Sequence, residues 1–122
     1  MVVMKEKKKL VDTIVKGIQE KKGTDIVIVD ISKMEEAICR CFVVCTGQSP
    51  TQVQAIADSV SETVRMEAGE KPVKVVGEDN AVWVAMDYTD VMVNVFVPDT
   101  REYYDIEHLW EDAPKTVIPN EE

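Results

Sequence analysis

The sequence AVWVAMDYTDVMVNVF, residues 81–96, contains two strand-like segments joined by a short polar turn. A two-residue tip formed by Tyr88 and Thr89 predicts a β-hairpin in which Trp83 faces Asn94. In that register one face of the hairpin is entirely apolar, and it consists of Val82, Val84, Met86, Val91, Val93 and Val95. An unbroken apolar set on one side of paired strands predicts the face that packs onto the core of a domain.

The other face of the hairpin mixes large apolar side chains with carboxylates and an amide, and it consists of Trp83, Ala85, Asp87, Asp90, Met92, Asn94 and Phe96. The predicted register places Asp87 opposite Asp90 at the turn. An aromatic anchor, an adaptable methionine and flanking charges are typical of a protein interface. The alternative is that a helix of the same domain covers Trp83, because tryptophan is mostly buried wherever it lies. The residues alone support both interpretations equally.

Hydrophobic periodicity outside the hairpin predicts helices and strands in alternation. Ser49 stands in the N-cap position before Pro50, with Gln52 three residues after it, which makes this the clearest helix start in the chain. The full series is a helix over 7–22, a strand over 25–31, a short helical turn from Ser32, a strand over 39–46, a helix from Pro50 to Gly69, a strand over 73–76, the hairpin, and a helix that is capped by Thr100 and extends to Trp110.

This order of elements predicts an α/β fold with one mixed five-stranded sheet and flanking helices. A chain of 122 residues is about one domain long. We therefore expect a single domain over residues 1–122, with an ordered core over about 5–112. The tail from Pro114 is expected to be loose.

The composition limits the functional classes to which the chain can belong. Its net charge is −9, from 23 acidic and 14 basic residues, so direct nucleic-acid binding is disfavoured and a basic protein partner is favoured. No apolar run reaches the roughly 18 residues that a membrane span needs, and the lysine-rich start is unlike a signal peptide. Three cysteines cannot all pair within one chain, which suits a reducing compartment. We therefore expect a cytoplasmic protein without membrane association.

The cysteines and the single histidine were considered as metal or catalytic residues. Cys39, Cys41 and Cys45 have a spacing that resembles a metal cluster. On a straight strand, however, Cys41 and Cys45 would lie roughly 13 Å apart. That is too far for one ion bound about 2.3 Å from each sulfur, so buried structural cysteines are the better interpretation. His108 has no nucleophile placed beside it by a motif and is interpreted as a helix-surface residue. We expect no metal and no cofactor.

A phosphate site is the remaining alternative. Residues 46–49, Thr-Gly-Gln-Ser, lead from a strand into a helix N-terminus, where free amides and the helix dipole favour an anion. The segment lacks the glycine-rich patterns of nucleotide-binding loops, and Ser49 is already explained as a helix cap. The competing hypothesis is therefore a nucleotidyltransferase-like enzyme that binds a nucleotide at Thr46–Ser49, with Asp87 or Asp90 holding a metal ion.

From Asp25 nearly to Trp110 the chain resembles the ribosomal silencing factor (Iojap-related) family. No single segment is specific to this family, but the set of segments in this order is specific to it. The segments that carry the resemblance are Asp30-Ile31-Ser32, residues 42–49 (FVVCTGQS), Gly77 followed by Trp83, residues 87–96 (DYTDVMVNVF), and Arg101-Glu102-Tyr103-Tyr104-Asp105 with Leu109-Trp110.

The resemblance implies a non-catalytic repressor of translation. Members of this family dock on large-subunit ribosomal protein fourteen, where the small subunit would join, and so block subunit joining sterically. Their sheet is related to the nucleotidyltransferase fold without its catalytic motif, and they tend to form homodimers. In this chain the implied partner-binding residues are Trp83, Asp87, Tyr88, Asp90, Met92 and Asn94, and an acidic protein suits a basic ribosomal protein.

Two positions depart from the pattern that is usual in the family. Thr89 stands where the family usually has glycine in the turn, and Asn94 stands where it usually has histidine in the last strand. Threonine adopts a left-handed conformation poorly, so the first departure bears on the turn type and the register. An amide keeps its hydrogen-bonding capacity but does not titrate, so no pH-dependent role is expected at Asn94.

Overall fold

The structure, a computed structural model, describes residues 2–32 and 41–120, with side chains from residue 8 onward. The described helices and strands follow the order that the sequence predicts through residue 96. In chain order they are α1 (Val2–Glu20), β1 (Thr24–Asp30), β2 (Cys41–Thr46), α2 (Pro50–Ala68), β3 (Lys74–Val76), β4 (Trp83–Asp87), β5 (Val91–Phe96), α3 (Pro98–Tyr104), α4 (Ile106–Leu109) and β6 (Lys115–Ile118).

The strands form one mixed sheet in the order β3-β4-β5-β2-β1-β6. Strands β2 and β5 are parallel, and every other neighbouring pair is antiparallel. Helices α1 and α2 pack against each other and cover one side of the sheet, which we call the helix face. Residues such as Ile14, Ile56 and Val93 are fully buried there. The predicted α/β class with a mixed sheet and flanking helices is therefore confirmed.

The two long helices are amphipathic. In α2 the buried residues are Val53, Ile56, Ala57, Ser59, Val60, Thr63 and Val64, which recur at helical spacing. The predicted start of α2 is confirmed, since the Ser49 side chain accepts a hydrogen bond from the backbone N–H of Gln52 at 3.2 Å. Gly69 ends the helix with a φ of 67°. Within the described ranges, no helix combines the length and apolarity needed to cross a membrane.

The sheet has six strands and not the five that the sequence predicted. Residues Lys115–Ile118, which were expected to belong to a loose tail, form β6 and pair antiparallel with β1. The pairing occupies backbone groups along a strand edge of β1 that would otherwise be unpaired. Beyond the strand, the Asn120 side chain accepts a hydrogen bond from the backbone N–H of Asp25 at 2.8 Å. The β-branched run over 116–118, bounded by prolines, was the signal for this strand.

The predicted register of the β4–β5 hairpin is wrong by two residues. Trp83 faces Phe96 and not Asn94, and Asp87 faces Met92 and not Asp90. The two-residue tip is Thr89-Asp90, because the Tyr88 N–H donates to the Val91 carbonyl at 2.9 Å. A shift of two residues leaves each side chain on its predicted face, because side chains alternate with a period of two. Val84, Met86, Val91, Val93 and Val95 all lie buried on the helix face, as predicted.

The turn itself explains the shift in register. Thr89 adopts a left-handed conformation with a φ of 73°, which is unfavourable for threonine. The Asp87 side chain offsets part of that cost, since its Oδ1 atom accepts a hydrogen bond from the Thr89 N–H at 2.7 Å.

The last predicted helix is divided in two. It begins at Pro98 with Val97 as N-cap, so Thr100 lies inside the helix and does not cap it. Proline at the first helical position has the φ that a helix requires, which explains the earlier start. Asp105 adopts a left-handed conformation with a φ of 46° and separates α3 from α4. The short helical turn predicted after Ser32 falls on residues 33–40, outside the described ranges.

A comparison of Gly77 with Gly69 tests how closely β4 approaches the backbone at Gly77. Both have positive φ, but a Cβ atom at Gly77 would overlap the Trp83 carbonyl oxygen, whereas a Cβ at Gly69 would have no heavy atom within 4 Å. We expect Gly69→Ala to lower the free energy of unfolding by about 1 kcal/mol through conformational strain alone. Gly77→Ala should cost roughly 3 kcal/mol or more, since strain and overlap add. Urea denaturation of both variants measures the difference, and equal losses would contradict the close approach of Gly77 to β4.

Candidate protein-docking surface

The sheet face opposite α1 and α2 is covered over one half only. Over β1 and β2, Trp110 packs against Phe42 with ring centroids 6.0 Å apart, and Ala113 joins the same cluster. Val27, Val29 and Val44 are buried beneath this cover. Over β3, β4 and the Met92 end of β5, the side chains on this face are exposed or half-buried. We call this part the open half-face, and it consists of Lys74, Val76, Trp83, Ala85, Asp87 and Met92.

Trp83 lies at the border between the open half-face and α3. Its indole stacks on the ring of Phe96, with ring centroids 5.0 Å apart. The ring of Tyr104, which belongs to α3, has its centroid 4.7 Å from that of the indole. The indole Nε1–H donates to the Asn94 Oδ1 atom at 3.0 Å. Trp83 is half-buried as a result. The alternative that a helix of the domain covers Trp83 is confirmed in part, because α3 contacts the indole without sealing it, and the interface interpretation stays a prediction.

The predicted partner-binding residues occupy four different environments. Trp83, Asp87 and Met92 are half-buried on the open half-face, and Asp90 is exposed at the hairpin tip. Asn94 is only 2% exposed, so its amide fixes the indole and offers little surface of its own.

Tyr88 lies on the opposite side of the sheet from the open half-face. It is 3% exposed and belongs to the core beneath α1 and α2. The corrected register explains this position, since Tyr88 continues the alternation of Val84 and Met86. Its side chain therefore contributes no surface at the open half-face.

Sequence reasoning missed four exposed apolar residues: Val76 on the open half-face, Tyr103 and Tyr104 on α3, and Leu109 on α4. Val76 lies on the edge strand β3, and its pairing with Ala85 places its side chain on the open half-face. Tyr103 is 81% and Leu109 is 74% exposed, and no residue of α3 or α4 is buried. A short helix with two adjacent tyrosines and no apolar periodicity was the available signal, because such a helix has no face to bury in the core.

Arg101 fixes α3 against the sheet. Its Nη1 atom donates to the Asp25 carbonyl at 2.7 Å and to the Thr46 Oγ1 atom at 2.8 Å. Its Nε atom donates to the Glu107 carboxylate at 2.8 Å, which ties α4 to α3. The guanidinium is mostly buried, with 14% of the side chain exposed. These contacts hold α3 against β1 and β2, and the same helix carries Tyr104, which packs on Trp83.

In the candidate phosphate-binding turn, two backbone N–H groups already donate hydrogen bonds to other groups of the protein. The Gly47 N–H donates to the Phe96 carbonyl at 2.8 Å, and the Gln48 N–H donates to the Gln52 side chain at 2.6 Å. Arg101 donates to Thr46 at the same place. The cavity beside the turn, of about 380 Å³, is lined by the acidic residues Asp25, Glu102, Asp105 and Glu107. Their charge opposes a phosphate group, so the geometry disfavours a nucleotide at Thr46–Ser49.

The described cysteines are structural. Cys41 and Cys45 are buried on the helix face, as predicted, and neither forms a disulfide, while Cys39 lies outside the described ranges. Burial raises the pKa of Cys45 to about 12, so its thiol is unreactive at neutral pH. Among the described residues no group of three histidine, cysteine or acidic side chains could hold a metal ion. His108 lies on the helix surface, as predicted, with Asp105 and Glu111 within 3.3 Å of its ring nitrogens.

Tyr88 gives a test of the core beneath the hairpin. Its hydroxyl has no hydrogen-bond partner among the described residues. Burial, with a contribution from the charge of Glu70, raises the pKa of Tyr88 from 10.0 to about 12. Removing an unsatisfied buried hydroxyl should stabilise the protein, so we expect Tyr88→Phe to raise the free energy of unfolding at neutral pH by about 1 kcal/mol.

The same substitution should change the response to alkaline pH. In the wild type, the unfolded chain ionises near pH 10.0 while the folded protein resists ionisation until about pH 12, so stability falls over that window. Tyr88→Phe should remove this part of the fall, whereas Tyr103→Phe, at an exposed position, should keep it. Thermal melts from pH 8 to pH 12 measure the difference. Identical pH profiles for Tyr88→Phe and the wild type would contradict the buried position of the phenol.

Comparison with known proteins identifies the relatives of this chain. The family model described as "Ribosomal silencing factor during starvation" matches residues 4–122. The chain is 41% identical to ribosomal silencing factor RsfS of Chromobacterium violaceum over 79% of this chain and 77% of that protein. It is 40% identical to the protein of the same name from Bacillus subtilis, over 78% and 79% of the two chains. A crystal structure of a Chromobacterium violaceum protein superimposes with a TM-score of 0.80 at 36% identity, over 85% of each chain.

Proposed function

The chain belongs to the ribosomal silencing factor family, and we propose that it represses translation by docking its open half-face on a basic protein of the large ribosomal subunit. The observation that supports this most is the half-buried indole of Trp83 at the border of an uncovered sheet surface. The resemblance noted in the sequence makes large-subunit ribosomal protein fourteen the proposed partner. No catalytic step enters this function.

The open half-face has the composition of an interface that binds with a few dominant residues. Trp83 is held rigidly by Phe96, Tyr104 and Asn94, so little conformational entropy is lost when a partner covers it. Met92 lies opposite Asp87, at the other end of the open half-face from Trp83, and its side chain can adapt to the shape of a partner. A rigid aromatic anchor and a flexible side chain on one surface favour protein docking over the binding of a small molecule.

The charges of the chain select a basic partner. Asp87 and Asp90 flank the hairpin turn, with the exposed Lys74 opposite Asp87, and the whole chain carries a net charge of −9. This field accelerates encounter with a positively charged ribosomal protein and opposes contact with the phosphates of ribosomal RNA. The bound protein then occupies the space that the small subunit needs, so inhibition is steric. The site of action is the cytoplasm, and the free protein is proposed to be a homodimer.

Trp83→Ala tests the proposed anchor. We expect it to weaken binding to isolated large subunits by about 2 kcal/mol, or roughly 30-fold, because an interface aromatic in a packed setting contributes most of the binding energy. Met66→Ala is the matched control, since Met66 is an exposed apolar residue (69%) on α2, away from the open half-face. Co-sedimentation measures both variants, after circular dichroism has shown that each is folded.

Two outcomes distinguish a failure of the docking proposal from a failure of Trp83 as its anchor. Wild-type protein that fails to co-sediment with large subunits would overturn the proposed function. Equal binding by the wild type and Trp83→Ala would remove Trp83 as the anchor. If the mechanism is steric, the wild type should also lower the yield of joined ribosomes from purified subunits, and Trp83→Ala should do so less effectively at the same concentration.

A further inference from the structure

A cavity of about 570 Å³ lies between the start of β4 and α3, next to the open half-face. Its lining includes the aromatic residues Trp83, Tyr103 and Tyr104, together with Asn80 and Asp99. Among the described residues that line it, Asp99 is the one that carries a charge. Aromatic rings and one carboxylate around a shared space are a combination that favours a cationic occupant.

The two tyrosine rings are the most available to a ligand, because Trp83 stacks on Phe96 and is also contacted by Tyr104. Tyr103 lies edge-on to Tyr104 with centroids 5.0 Å apart, and it is 81% exposed, which is unusual for a large aromatic side chain. Tyr104 in turn contacts Trp83. The indole hydrogen bond to Asn94 fixes the deepest ring, so the cavity is preformed. A planar guanidinium can stack on such rings and donate to a carboxylate at the same time, whereas an ammonium group cannot stack.

We propose that this cavity binds an arginine side chain of the basic ribosomal protein, stacked on the aromatic rings and paired with Asp99. The inference rests on the proposed function and goes further, because it places a specific charged contact outside the hairpin. Asp99 lies in the first turn of α3, so it also favours the helix through the helix dipole. The variants must therefore be compared at equal folded content.

Charge reversal at two positions tests the carboxylate. Asp99→Lys and Glu62→Lys change the net charge of the protein equally. Glu62 is the control because it is exposed on α2 and does not line the cavity. Co-sedimentation with isolated large subunits should show binding weakened by at least about tenfold for Asp99→Lys, and within about twofold of wild type for Glu62→Lys. Equal losses in the two variants would overturn the inference, because only the general field of the protein would then matter.

Substitution at Tyr103 tests the ring without disturbing the core. Tyr103→Phe keeps the aromatic face and should bind within about twofold of wild type, whereas Tyr103→Leu keeps apolar area and should bind several-fold more weakly. Equal binding by these two variants, in a preparation where wild type binds, overturns the stacked arginine and leaves the proposed function standing. If wild-type protein itself fails to bind large subunits, the proposed function fails, and this inference fails with it.

Discussion

The contact between Arg101 and the ends of two central strands is the interaction on which the candidate surface depends. One guanidinium joins α3 to the Asp25 carbonyl and to the Thr46 hydroxyl, and it joins α4 through Glu107. Because α3 and α4 bury no residues of their own, packing alone holds them weakly. Charge-assisted hydrogen bonds in a mostly buried setting are worth about 1.5–3 kcal/mol each, so they hold the segment where packing cannot.

That constraint divides one sheet face into a covered half and an open half. The segment after β5 covers β1 and β2 through Trp110, and it contacts β4 through Tyr104 at Trp83 without covering the rest of that strand. Trp83 lies at the boundary, where Tyr104 supports the indole from one side and leaves part of it exposed. The open half-face is thus a consequence of how far a short segment extends across the sheet, and the same segment supplies the cavity that contains Asp99.

Much of this architecture could be predicted from the sequence, because hydrophobic periodicity and helix caps are local signals. The alternation along 81–96 determined the two faces correctly even though the register was wrong, since an even shift preserves the faces. The register and β6 could not be obtained in the same way. The turn depends on a left-handed Thr89 supported by Asp87, and β6 depends on the free edge of β1, which only the assembled sheet reveals. The site was predicted in part, because the exposure of Tyr103 and the burial of Tyr88 depend on where α3 and α2 lie.

The orientation of the bound protein is the most direct test of the account. An electron cryomicroscopy map of the chain on isolated large subunits should show β3, β4 and α3 against a basic ribosomal protein, with α1 and α2 directed towards solvent. A map in which α1 and α2 face the ribosome while the indole of Trp83 stays in solvent would contradict the claim that the uncovered half of the sheet is the docking surface.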